Sequence, residues 1–181
     1  MTANAIIHQN FAEKGFPTVE IFSDRIEISN PGTPLIQPDR FIDEYQSRNE
    51  KVADLMRRLG ICEEKGSGID KVISYNEVFQ LPPPSFEIKQ TRTIVTMYAQ
   101  KDFGEMSKEE KIRACYQHCC LKYVMNDRMT NETIRERFGM TKDDSSKASA
   151  IISATRKAGL IKRNGYNNQS RKGARYVPIW A

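Results

Sequence analysis

The chain has 181 residues, 39% of them hydrophobic and 28% charged, with a formal net charge of +5. That length supports one or two domains with a real core. No apolar run nears the roughly 18–20 residues of a membrane span, and MTANAIIHQNF has no basic region leading into a signal core, so no membrane partner and a cytoplasmic location are expected.

From the N-terminus, PTVEIFSDRIEIS (17–29) alternates Val19, Ile21, Ile26 and Ile28 around a Ser23-Asp24 turn, which predicts a hairpin with one buried face. RNEKVADLMRRLG (48–60) spaces Val52, Leu55, Met56 and Leu59 at helical intervals, with Gly60 just past the end. Beyond Gly66-Ser67-Gly68, residues Ile69, Val72, Ile73 and Phe79 predict a second helical stripe, broken by LPPPS (81–85). FEI (86–88) and TRTIVTMYA (91–99) then predict the arms of another hairpin. The polar stretch QKDFGEMSKEEK (100–111) reads as the approach to a second unit, with 101–106 as linker. The expected division is an α+β domain over 1–100 and a helical domain over 107–181.

In the second part, 107–127 predicts a helix with Ser107 as N-cap and acidic residues in its first turn. TNETIRERFG (130–139) predicts a short helix with Ile134 and Phe138 on one face. DDSSKASAIISATRKAG (143–159) predicts a longer one with Ile151, Ile152 and Ala158 facing inward. LIKR (160–163) and ARYVPIWA (174–181) are expected strands, joined by NGYNNQSRKG (164–173), with Trp180 packing the last strand onto the helices.

Cys62, Cys115, Cys119 and Cys120 make no disulfide framework in a chain of this size. CYQHCC (115–120) places Cys115, His118 and Cys119 on one helical face, but tetrahedral zinc needs four ligands and His8 is the other histidine. A partly buried helix with inert thiols is preferred, and no metal site is assigned. His8 has no nucleophile motif beside it and reads as a satisfied helix histidine; no catalytic residue is assigned.

The charge is uneven. Residues 130–175 hold 11 Lys and Arg against 4 Asp and Glu, a net of +7, and the remainder is −2. Helix, short helix, Gly-containing turn, longer helix and hairpin is the order of a winged helix-turn-helix, whose longer helix can enter a major groove. Its outward N-terminal residues would be Ser145, Ser146, Lys147 and Ser149. Arg163, Arg171, Lys172 and Arg175 would belong to the hairpin that lies over the DNA backbone, with Asn167, Asn168 and Gln169 adding donors. The basic balance favours double-stranded DNA as the partner over a protein-interaction role for the same module, and pairing of half-sites suggests a homodimer.

NAIIHQNF (4–11), VEIFSDRIEISNPG (19–32), RNEKVADLMRRLGICEEKGSGIDKV (48–72) and LPPPSFEI (81–88) together resemble the C-terminal region of bacterial RecG-related, ATP-dependent-helicase-like and AlbA/Schlafen-type regulator proteins. RYVPIWA (175–181) is similar to the close of that family's winged helix. The resemblance implies a GHKL-ATPase-like sandwich domain followed by a winged helix, and a DNA-binding transcription regulator. It also implies a longer protein, of which this chain is the C-terminal portion. Carried across, Asn4 falls at the metal-coordinating Asn, Asn30 to Gly32 at the adenine-binding turn, and Gly66, Ser67 and Gly68 at the phosphate-covering loop.

The departures from that pattern are chemical. The hydrolytic Glu would precede Asn4 by four residues, where this chain has none, and the adenine-reading Asp is replaced by Asn30. A helicase needs G-x-x-x-x-G-K-[ST] to hold nucleotide and magnesium, which the sequence lacks. Gly66-Ser67-Gly68 therefore reads first as a tight turn into a helix. No cofactor is required on this reading; ATP with magnesium, completed by a missing N-terminal part, is the alternative.

Overall fold

The computed structural model describes residues 1–62, 67–165 and 173–181, and the chain divides into two compact units. The first comprises Met1–Val72 and Pro84–Ala99, the second Ile73–Pro83 and Gln100–Ala181. The architecture is α+β, with six α-helices among the described residues and an antiparallel sheet in the first unit.

In that unit, β1 (Thr18–Ile21), β2 (Arg25–Pro31), β3 (Ser85–Lys89) and β4 (Arg92–Tyr98) pair in the order β1-β2-β4-β3. Both anticipated hairpins form, but the expected buried face stops at β2: Val19 is 48% and Ile21 78% exposed, because β1 is the edge strand of the sheet. What joins the hairpins is the long-range β2–β4 ladder, which sets Ile28 opposite Val95 and Asn30 opposite Thr93. Because side chains alternate with period two, this register gathers Ile26, Ile28, Phe86, Val95 and Met97 on one face. The other face is polar: Thr18 and Ser29 hydroxyls meet at 2.8 Å, Arg92 Nη2 donates to Ser29 Oγ at 2.8 Å, and Arg25 Nε donates to Glu27 at 2.7 Å.

Helix α1 (Thr2–His8) packs on β2 and on α2 (Glu50–Arg58). Ile7, Ala53 and Met56 form the buried centre of that contact, with Ala3, Ile6, Val52 and Cys62 around it. Asn49 precedes α2, and its side-chain amide donates to the carbonyls of Ile7 and Gln9 at 2.8 Å each. One residue thereby satisfies carbonyls left open where α1 ends. Helix α2 stops at Gly60, whose φ of +68° a side chain would strain. His8 closes α1 edge-on to Tyr45, and burial, aided by the Arg48 charge, holds its pKa below the ordinary value.

Helix α3 (Ser67–Val78) contains the division between units, which falls between Val72 and Ile73. In the second unit Ile73 is buried, but Phe79 is 64% exposed. The expected stripe fails there because the helix ends at Val78 and the chain turns away through Gln80 at a φ of +54°. Buried charge fastens this segment: the Glu77 carboxylate accepts from His118 Nδ1 at 2.9 Å and lies 3.7 Å from Arg137 Nε. Arg137 Nη2 donates to the Leu81 carbonyl at 2.8 Å.

Helix α4 (Lys108–Val124) is the core of the second unit, with Ala114 through Leu121 all buried. Ser107 caps it in a reciprocal box with Glu110. Around it lie α5 (Asn131–Arg137), a 3-10 turn at 142–144, α6 (Ser145–Lys157), and a two-stranded ladder of β5 (Ile161–Arg163) and β6 (Tyr176–Pro178). Met129 adds a bridge to Tyr176. Burial pushes the Cys115 thiol up to about 12 and raises Cys119 further, so neither is a thiolate near neutral pH. Trp180 Nε1 donates to Tyr116 Oη at 3.0 Å, tying the C-terminus to α4 as expected.

Two further details differ from the sequence reading. Ala158, expected inside, is exposed because α6 ends at Lys157. The segment 101–106, expected as linker, is packed: Met106 is buried, Phe103 stands edge-on to Phe138 at 5.2 Å, and Lys101 pairs with Glu110 at 2.8 Å.

Candidate functional site

Each unit carries one set of candidate residues. In the first, the structure brings Asn4 and Gly68 together: a Cβ placed on Gly68 would lie 3.4 Å from Asn4 Nδ2. Helix α1 supplies the amide and the first turn of α3 supplies the bare backbone. Gly66 lies outside the described residues, as does the Ser67 side chain.

Asn30 and Gly32 form a separate pair at the end of β2. Asn30 is buried, and its amide donates to the neighbouring Pro31 carbonyl at 3.1 Å. Gly32 has a φ of +101°, and a Cβ there would come within 2.7 Å of Asn10 Cβ. Its carbonyl accepts from Thr93 Oγ1 at 2.7 Å. Gly32 is explained by its close packing against Asn10 and by its backbone conformation.

Asp70, which the sequence reading did not single out, lies two residues beyond Gly68. One carboxylate oxygen is buried without a hydrogen-bond partner. Burial chiefly, and then the nearby Asp43 charge, raise its pKa above the ordinary value. Among the described residues no three His, Cys, Asp or Glu side chains gather as a metal site.

In the second unit, Ala148, Ile151, Ile152 and Thr155 anchor α6, and Ser145, Ser146, Lys147 and Ser149 are exposed as the spacing predicts. Lys147 pairs with Asp144 at 2.7 Å, and Ser145 Oγ donates to Asn131 Oδ1 at 3.2 Å. Hydrogen bonding to Lys147 foremost, then to Thr141, holds the Asp144 carboxyl below its usual range. An ion pair this exposed contributes little, so Lys147 can exchange Asp144 for another anion. Arg163 sits on β5, half-buried, while Arg175 is exposed just before β6. Arg171 and Lys172, with Asn167, Asn168 and Gln169, lie outside the described residues.

The sequence reading missed an open groove of about 490 Å³ on this unit, lined by residues of α5, α6 and the approach to β6. Arg135, Ser149, Ser153 and Arg156 are on its wall. Only helical spacing signalled it: Ser149, Ser153 and Arg156 recur at intervals of four and three on one side of α6.

The first unit is an α+β domain built on a four-stranded antiparallel sheet. Residues 15–97, a little under half the chain, match the family described as "Putative ATP-dependent DNA helicase recG C-terminal", and this segment is an ATPase-like domain related to RecG. No curated protein matches the chain. Among solved structures, the DIP2311 protein from Corynebacterium diphtheriae is similar, with a TM-score of 0.50 and 13% identity over 97% of this chain and 48% of that one. At that identity the likeness concerns fold alone, and the present chain spans about half the length of that structure.

Proposed function

We propose that the protein is a DNA-binding, transcription-regulator-like protein, in which the second unit is a winged helix and the ATPase-like unit serves ligand sensing or self-association. One observation carries the reading. From Ser145 to Lys157, α6 contains no carboxylate, and its cations Lys147, Arg156 and Lys157 are all exposed alongside small hydroxyl residues. A helix with that surface presents positive charge and hydrogen-bond donors at close approach, as entry to a major groove requires. Arg175, next to the ladder, extends the charge toward the backbone on this reading. Phosphate contacts then supply affinity and fix the register of α6 on the duplex.

The test is fluorescence anisotropy of a labelled mixed-sequence duplex with the full chain at 50 and 200 mM salt. Binding that weakens steeply with salt, and is lost or sharply reduced in Lys147→Glu, is the expected result. Equal, salt-insensitive signals for the wild type and Lys147→Glu would refute it.

A second reading, binding of a phosphate-bearing nucleotide in the first unit, is favoured by the closeness of Asn4 and Gly68. Titration calorimetry with ATP and magnesium tests it. Saturable heat that disappears in Asn4→Ala supports this reading, and no heat at millimolar nucleotide ends it.

A further inference from the structure

We infer that the groove between α5, α6 and the approach to β6 is a seat for one phosphodiester of a nucleic-acid backbone, gripped by Arg156 and Arg135. This deepens the DNA-binding reading and rests on it. The groove has the size of such a seat: it is open to solvent, with a volume of about 490 Å³, large enough for a phosphate and its flanking sugars. Its chemistry is that of anion recognition. Arg135 and Arg156 supply guanidinium forks, which match phosphate oxygens two at a time, and Ser149 and Ser153 supply hydroxyl donors. Gly173 and Ala174 form a low wall, where a sugar–phosphate chain meets little side chain. Among the described residues, Glu132 is the single carboxylate on the lining, against two arginines.

The grip is also pre-oriented. Asn131 Nδ2 donates to the Ser145 carbonyl and to Ser149 Oγ, at 2.9 Å each, which locks the start of α5 to α6. Asn131 Oδ1 accepts from Arg135 Nε at 3.2 Å, fixing that guanidinium by its inner nitrogen. Arg135 lines the groove from α5, and the exposed Arg156 lines it from α6. Holding a donor in place beforehand lowers the ordering cost of binding. A backbone seat here lies on the flank of α6, so it would set the register of that helix without reading any base.

The experiment measures duplex anisotropy across a salt series for the wild type, Arg156→Ala, Arg156→Lys and Arg135→Ala, with melting curves to show that each variant folds. Each phosphate contact adds about 0.9 to the slope of log affinity against log salt. Arg156→Ala should therefore flatten the slope by about that amount, making the affinity lost between 50 and 200 mM salt about 3.5-fold smaller. Arg156→Lys should keep most of the slope, since it keeps the charge. Wild-type slope in both alanine variants, with duplex still bound, overturns the proposal. Should the wild type bind no duplex, the DNA reading fails, and the groove is then judged separately by amide chemical shifts on adding the dinucleotide TpT. Shifts at Ser149, Ser153 and Gly173 that vanish in Arg156→Ala sustain a phosphodiester seat; their absence at tens of millimolar TpT overturns it.

Discussion

Replacing Glu77 by alanine is the sharpest test of how the second unit is held. The carboxylate touches two buried partners, His118 at 2.9 Å and Arg137 at 3.7 Å, whose side chains are only 4% and 3% exposed. At 3.7 Å and an effective dielectric near 20, the Glu77–Arg137 attraction is about 4 kcal/mol, before the cost of removing both charges from water. Burial already pulls the Arg137 pKa down, and Glu77 only partly restores it. Without Glu77, the guanidinium would keep its bond to the Leu81 carbonyl but lose its counter-charge. Stranding a buried charge in this way costs about 3–5 kcal/mol. Because Glu77 is itself 16% exposed, water can reach the vacated space, and the lower end, about 3 kcal/mol, is expected. Urea unfolding followed by the fluorescence of Trp180, the sole tryptophan and packed on α4, reads this unit directly. The double variant Glu77→Ala/Arg137→Met should cost less than the sum of the two single changes, because it removes the stranded charge with its partner. A Glu77→Ala loss below about 1 kcal/mol, or strict additivity in the double variant, would refute the reasoning.

Two further outcomes follow from the first unit. Gly32→Ala should lower the melting temperature, since its new Cβ would lie 2.7 Å from Asn10 in a positive-φ backbone, whereas Gly68→Ala should be tolerated, its nearest contact being 3.4 Å away within a helix. Comparison of the two melting curves checks this, and equal destabilisation would remove the distinction between a packing glycine and a replaceable one. Asp70 should oppose stability near neutral pH. Its raised folded-state pKa means that the folded form binds more protons than the unfolded form as pH rises past the ordinary value of 3.8, so stability is lost through that window. Asp70→Asn should therefore melt higher than the wild type at pH 7, with the gain vanishing below about pH 4; a gain that persists unchanged at pH 3 would contradict the sign.

Local order in this protein was legible from the sequence because local patterns have local causes. Alternation in 17–29 and β-branched residues in 91–99 mark strands, Ser107 followed by Glu110 marks a capped helix, and Gly60 and Gly139 mark helix ends at positive φ. The exposed serines and Lys147 of α6 were equally readable, since helical period alone sorts them from Ala148, Ile151 and Ile152. What period and capping cannot encode is which distant segments meet. The β2–β4 ladder joins residues more than sixty positions apart. The pairing of Glu77 with His118 and Arg137, which assigns 73–83 to the second unit, left no trace in composition because each residue alone reads as an ordinary polar position. The groove of Arg135 and Arg156 likewise needed α5, α6 and the strand approach folded together before it existed. Periodicity is a property of neighbours along the chain, whereas buried charge pairs and grooves are properties of neighbours in space. The sequence determined most of the elements, whereas tertiary packing decided which of their apolar residues are buried, since Val19, Ile21, Leu55, Leu59 and Phe79 stay exposed, and which charges those elements hold in common.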